Sequence, residues 1–126
     1  MNWDDLHYWR DGKQLDDDPN VIKRNVVGVT FVEGYPGNLI RLLATLTETG
    51  TIRAHIRRNP DNKFDSNACE VWVDESMIGH LDKETAAEVA PKLDSGSECE
   101  ISIVSIGFAN GDTTKPGASY NLRVNK

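Results

Sequence analysis

The clearest pattern in the chain is a strict alternation of apolar and charged side chains over residues 51–58. The apolar set is Ile52, Ala54 and Ile56, and the basic set is Arg53, His55 and Arg57. Because successive side chains of a β-strand point to opposite faces, this pattern predicts a half-buried strand. The exposed basic strip is consistent with a solvated face and also with a binding surface that leads into the following loop.

Five more strands are predicted from shorter apolar runs. They cover residues 26–32, 69–73, 77–81, 98–108 and 120–124. The first is rich in β-branched residues, which predicts a strand buried on much of both faces. The second and third flank Asp74-Glu75-Ser76 and predict a hairpin. The fourth changes its alternation near Val104, which predicts a bulge.

Two stretches have the periodicity of short helices. The first has an apolar stripe over residues 39–46, with Asn38 as the expected N-cap and Gly50 at its end. The second begins after Asp82, an expected N-cap, and continues to Leu93. Pro91 is expected to distort its last turn.

These elements predict a mainly β domain with two short helices (α+β), built as an OB-like, six-stranded small β-barrel. At 126 residues the chain is long enough for one domain with a substantial core. We place the barrel at residues 23–126. Residues 1–22 form an acidic, aromatic-containing N-terminal arm, in which Asp16-Asp17-Asp18-Pro19 is typical of a linker.

The charge is distributed unevenly between these two parts. The net charge is −6, which argues against a general nucleic-acid binder. The arm carries six acids and two bases, and the other residues carry 14 acids and 12 bases, so a local basic patch remains compatible with the composition. The sequence contains no apolar run long enough for a membrane helix and no signal peptide, so a cytoplasmic location is expected.

No motif predicts catalysis, a metal or a cofactor. The chain lacks a nucleophile elbow, a P-loop and a dinucleotide fingerprint. The loop from Asp61 fails as a calcium site, because Ser66 and Trp72 stand at the glycine and glutamate positions. Cys69 and Cys99 are expected as buried thiols, with a disulfide as the alternative. We predict a non-enzyme without a small-molecule cofactor; a hydrolase is a third hypothesis.

Several blocks of the sequence resemble a HIRAN domain. In order, they are residues 26–29, the loop at 59–68, Ile78-Gly79-His80-Leu81, the second helix, and residues 104–107. The similarity extends over residues 22–125. It implies an OB-like barrel that binds single-stranded DNA at a free 3′-hydroxyl end, in DNA repair or replication-fork processing.

The resemblance also implies a set of nucleic-acid-binding residues. They are Thr30, Phe31, Asn62, Phe64, Asp65, His80, Lys83 and Ile106. In this scheme the two phenylalanines stack on terminal bases. His80 and Lys83 hold a phosphate, which the start of the second helix also favours. Asp65 accepts a hydrogen bond from the 3′-hydroxyl.

Four of these positions differ from the family pattern, and some of the eight also have a structural alternative. Thr30 replaces an arginine, Phe31 and Phe64 replace tyrosines, and Ile106 replaces an aromatic residue. These differences predict weaker DNA binding or a different ligand. The alternative function is a protein-interaction module that uses the same groove or the arm. Either phenylalanine could belong to the core, Asp65 could cap a turn, and His80 could have a structural role.

Overall fold

The computed structural model describes residues 20–124. Most of the predicted arm, residues 1–19, lies outside the described residues, as do residues 125–126. The six strands are β1 (Ile22–Asn25), β2 (Ile52–Arg58), β3 (Cys69–Val73), β4 (Ser76–His80), β5 (Cys99–Phe108) and β6 (Pro116–Val124). The helices are α1 (Gly37–Thr49) and α2 (Lys83–Asp94), and single 3₁₀ turns occupy Val29–Phe31 and Ala109–Gly111.

The strands form one antiparallel sheet in the order β1-β6-β5-β2-β3-β4. The sheet curls into a half-barrel, and the two residues after β1 connect its ends. Val26 donates its N–H to the carbonyl of Ala118 on β6 at 2.8 Å, and Val27 exchanges two hydrogen bonds of 2.9 Å with His80 on β4. The predicted fold class, mainly β with two short helices, is therefore confirmed.

Gly79 allows this connection, which we call the Val26–Val27 bridge. A Cβ atom at Gly79 would lie 2.5 Å from Val26 Cγ1 and 2.6 Å from the Val27 carbonyl oxygen. Both distances are too short for any side chain, so the bridge requires glycine at this position.

The core fills the inner face of the sheet and is covered by the helices. Helix α1 packs against β5, β2 and β4. Its stripe contributes Leu39 and Leu46, which are completely buried. From the sheet, Ile103, Tyr120 and Leu122 are also completely buried. Within residues 20–124, no helix is both long and apolar enough to cross a membrane.

Most predicted local features are confirmed. Strand β2 has the predicted alternation, with Ile52 and Ala54 buried. The register of β5 against β6 shifts between Ile103 and Ser105, which is the predicted bulge. Asp82 caps α2 by accepting the N–H of Thr85.

Two predicted features are wrong. Residues 26–32 are not a strand, because Gly28 adopts a left-handed conformation (φ +69°) and starts the 3₁₀ turn. Asn38 is not the N-cap of α1: it is buried inside the first turn, where its amide donates to the Met77 carbonyl at 3.3 Å. Pro91 lies inside α2, which continues through it to Asp94.

Candidate functional site

Three segments of the structure carry most of the predicted site residues. In the register of the sheet, Arg58 lies opposite Cys69, and Glu70 lies opposite His80. His80 in turn pairs with Val27. The loop at 59–68 and the turn that follows His80 therefore emerge from the same end, and the 3₁₀ turn after Val27 packs against β4. Seven of the eight predicted site residues lie on these three segments.

Two phenylalanines on these segments project into solvent. Phe31 and Phe64 are each 91% exposed, whereas the next most exposed large apolar residues of the described chain, Ile40 and Val27, reach 48% and 41%. Exposure of whole aromatic rings gains nothing for folding, since apolar surface is stabilising only when it is buried. Neither phenylalanine belongs to the core, and both ring faces are available to a ligand.

The 3₁₀ turn fixes the position of Phe31. Val29 and Val32 on either side of it are buried at 7% and 8% exposure. Thr30 and Phe31 lie between these two anchors and are exposed. The N–H of Phe31 donates to the Gly28 carbonyl at 3.1 Å, which closes the turn. The backbone that carries Phe31 is therefore held although its side chain is free.

The loop that carries Phe64 is ordered by its own polar side chains. The Asn62 side-chain oxygen accepts the N–H groups of Phe64 at 2.9 Å and of Asp65 at 3.0 Å. Asp65 Oδ1 accepts the N–H of Asn67 at 2.9 Å. Asn62 therefore shapes the loop, while Asp65 caps a turn through one oxygen and keeps Oδ2 as an acceptor for a ligand.

Arg58 fastens this loop to the rest of the domain. Its guanidinium donates to the carbonyls of Ala68 at 2.7 Å and Ser66 at 3.1 Å. The same group binds both carboxylate oxygens of Asp94, at the end of α2, at 2.9 and 3.1 Å. The hydrogen bond from Arg58 holds the pKa of Asp94 below its usual value.

Arg58 was not predicted to be a positioning residue, although the alternation of β2 contains the signal. Arg58 has the same parity as Ile52 and Ala54, so it points to the inner side of the sheet. Its side chain is only 17% exposed, in contrast to the exposed Arg57 beside it. A charged residue at an inward position needs partners, and the loop carbonyls and Asp94 provide them.

The remaining predicted residues fall into two groups. His80 is partly buried at the end of β4, and Lys83 is exposed at the start of α2. Ile106 is completely buried in the core, so the prediction that its side chain contacts a ligand is wrong. It follows the β5 bulge, where the side chains at 105–108 are all buried.

The N-terminus of α2 is less suited to bind an anion than the sequence predicted. The Asp82 carboxylate accepts the Thr85 N–H at 3.1 Å and its hydroxyl at 2.7 Å. Burial raises the pKa of Asp82, but these hydrogen bonds lower it more, so the net shift is downward. An ionised cap therefore already occupies the helix terminus, which leaves Lys83 as the cation available to an anion here.

Neither a metal centre nor a reactive thiol is apparent in the part of the chain that the structure describes. In that part, no three His, Cys, Asp or Glu side chains form a group that could hold a metal ion. Cys69 and Cys99 are both free thiols. Burial raises the pKa of Cys69 to about 11, and burial also raises the pKa of Cys99. Both thiols therefore stay protonated and weakly nucleophilic at neutral pH.

Two solved structures have the same fold. The chain is 21% identical to the HIRAN domain of human HLTF, with a TM-score of 0.57 over 85% of this chain and 77% of that one. It is 20% identical to a protein from Lactobacillus plantarum, with a TM-score of 0.54 over 82% of this chain and 96% of that one. No curated protein is matched significantly by the chain.

A family model gives the sequence-level assignment. The model described as the HIRAN domain matches residues 20–122, which is most of the chain and includes both helices and the candidate site. The chain therefore belongs to the HIRAN domain family.

Proposed function

We propose that this HIRAN domain is a non-catalytic module that binds single-stranded DNA at a free 3′-hydroxyl end. The observation that carries the proposal is the pair of phenylalanines, Phe31 and Phe64, each 91% exposed on the segments that carry the predicted site residues. Aromatic side chains in single-strand binders stack on bases, and each such contact is worth about 1–3 kcal/mol.

Asp65 supplies the selectivity for the end of the oligonucleotide. One of its oxygens is engaged with the loop, and Oδ2 is an acceptor beside Phe64. A carboxylate accepts a hydrogen bond from a 3′-hydroxyl but repels a 3′-phosphate. His80 and Lys83, on the neighbouring segment, provide donors for the preceding phosphate. The arrangement combines base stacking with recognition of a hydroxyl.

Fluorescence anisotropy with short labelled oligonucleotides tests this proposal. At low salt, oligonucleotides that end in a 3′-hydroxyl should bind more tightly than those that end in a 3′-phosphate. Asp65→Asn should reduce this preference, because the neutral amide can still cap the turn but no longer repels phosphate. Phe31→Ala and Phe64→Ala should weaken binding to both kinds of end.

Ile40→Ala is the matched control, since Ile40 is an exposed apolar residue on α1, outside the three site segments. It should bind as wild type does. Equal affinity for the two kinds of end in the wild type would refute end recognition. A lack of binding even at low salt would refute DNA binding and favour a protein partner at the same exposed aromatic residues.

A further inference from the structure

The outer face of β2 and β3 carries a second group of cationic and aromatic side chains. We call it the outer strip, and it consists of Arg53, His55, Arg57 and Trp72. The three β2 residues are exposed, and Trp72 is partly buried. His55 lies opposite Trp72 in the register of the two strands, so all four side chains lie on the same face. This face is opposite the one that α1 covers.

In the described part of the chain, the arginines of the outer strip have no acidic partner. Arg57 stacks on Trp72, with its guanidinium carbon 3.8 Å from the ring centroid, and its Nε donates to His55 Nε2 at 3.3 Å. Within residues 20–124, neither Arg53 nor Arg57 forms an ion pair. In contrast, Arg58 is paired with Asp94. The outer strip therefore presents positive charge that the described part of the fold does not neutralise.

The carboxylate of Glu70, on the neighbouring strand β3, is already engaged. Glu70 lies directly opposite Arg57 in the sheet. Its carboxylate instead accepts hydrogen bonds from Trp72 Nε1 at 2.9 Å and from the Asn59 amide at 3.3 Å. These contacts fix the Trp72 ring beneath the guanidinium. Arg57 is thus held flat by stacking, and its terminal nitrogens remain available for a phosphate.

The outer strip begins at the candidate site. Arg57, Glu70 and His80 form one row across β2, β3 and β4, and His80 continues to Val27 before the turn that carries Phe31. Along β2, the basic side chains then recur at every second residue, about 6.7 Å apart. This spacing is close to that of successive phosphates in an extended single strand.

On the basis of the proposed function, we infer that the outer strip binds the phosphates of the nucleotides that precede the 3′ end. The terminal nucleotide occupies the site at Phe31 and Phe64. The preceding backbone passes Arg57 first and Arg53 last, in the 3′ to 5′ direction. The strip adds affinity that depends on oligonucleotide length, and it does not select the chemistry of the end.

The test compares a 3′-hydroxyl dinucleotide with an oligonucleotide of about ten residues, a length within the site sizes of OB folds. Wild type should bind the longer one more tightly. The double variant Arg53→Gln, Arg57→Gln should bind the dinucleotide with the affinity of wild type. It should lose the additional affinity that wild type has for the longer oligonucleotide, which we call the length gain. Its log-log salt slope for the longer oligonucleotide should be less steep by about 1.4, since two phosphate contacts are lost.

Two variants separate this effect from damage to the fold or a general charge effect. Arg53→Gln alone removes a side chain without a hydrogen-bonding partner in residues 20–124, and it should lose part of the length gain. Arg41→Gln removes an exposed charge on α1 and should leave the gain unchanged.

Failure of the proposed function and failure of the outer strip give different results. If the double variant keeps the full length gain, or if wild type shows none while it binds the dinucleotide, the outer strip is refuted and the proposed function stands. If wild type binds neither oligonucleotide at low salt, the proposed function fails, and the inference fails with it.

Discussion

The closure of the half-barrel depends on the missing side chain of Gly79, and Gly79→Ala tests this dependence. The new Cβ would lie 2.5 Å from Val26 Cγ1 and 2.6 Å from the Val27 carbonyl oxygen. The carbonyl cannot move away freely, because it accepts the N–H of His80 at 2.9 Å. Either the bridge opens or the core around Val26 shifts.

The expected cost combines two contributions. Overpacking of a tight site costs about 1–3 kcal/mol, and each backbone hydrogen bond lost from the bridge costs about 0.5–1.5 kcal/mol. Since two such bonds join Val27 to His80, the two contributions together give an expected loss of about 2–6 kcal/mol. This is a large fraction of the roughly 5–15 kcal/mol that stabilises a domain.

Urea unfolding followed by circular dichroism measures this change, and Gly37→Ala is the matched control. A Cβ at Gly37 would lie 3.5 Å from the Arg41 guanidinium, which is an ordinary contact. Gly37 is the first residue of α1, so alanine there should be neutral or stabilise by about 0.4–1 kcal/mol. If Gly79→Ala costs no more than Gly37→Ala, the closure of the barrel does not depend on this close approach.

Three further predictions follow from the contacts of the site. Arg58→Lys should expose the loop to proteolysis with only a small loss of stability, because lysine cannot bind Asp94 and the loop carbonyls at once; cleavage at the wild-type rate would contradict this. The lowered pKa of Asp82 stabilises the fold above the pKa of the unfolded chain, and this contribution disappears as the pH falls through the lower folded pKa. Asp82→Asn should therefore be less stable than wild type at pH 7, and urea titrations should show this difference begin to shrink near pH 4, the pKa of a free aspartate, and disappear at lower pH. Phe31→Ala and Phe64→Ala should each change the unfolding free energy by less than about 0.5 kcal/mol, since both rings are exposed; a larger loss by urea unfolding would assign them a structural role.

The sequence correctly predicted strands in which the pattern of buried and exposed side chains is visible within the strand itself. The alternation of Ile52 and Ala54 with charged residues is set by one buried face, and the structure has the same pattern. Strand β1 was missed because its side chains give no apolar alternation, and it pairs only with the distant β6. The apolar run that follows β1 was predicted to be a strand. Val26 and Val29 are buried, but they pack beneath the bridge and the 3₁₀ turn instead of extending a strand.

The site was predictable in part for a similar reason. The resemblance located the loop and the turn after His80, and the structure places both at one end of the sheet. The burial of Ile106 depends on the bulge in β5, and sequence similarity does not show which side of a bulge faces the core. The role of Arg58 was visible in its parity on β2, but its partner Asp94 lies on a different element and could not be identified from the sequence.

The Val26–Val27 bridge has a consequence for the order of folding. It joins residues that are far apart in the sequence through three backbone hydrogen bonds, whereas β3 and β4 pair across a tight hairpin. Contacts of long sequence separation tend to form late, because a large loop must close first. We therefore expect the turn that carries Phe31 to fold after the hairpin of β3 and β4 and to open before it. Hydrogen exchange at the Val27 and His80 amides should be faster than in β5 and β6.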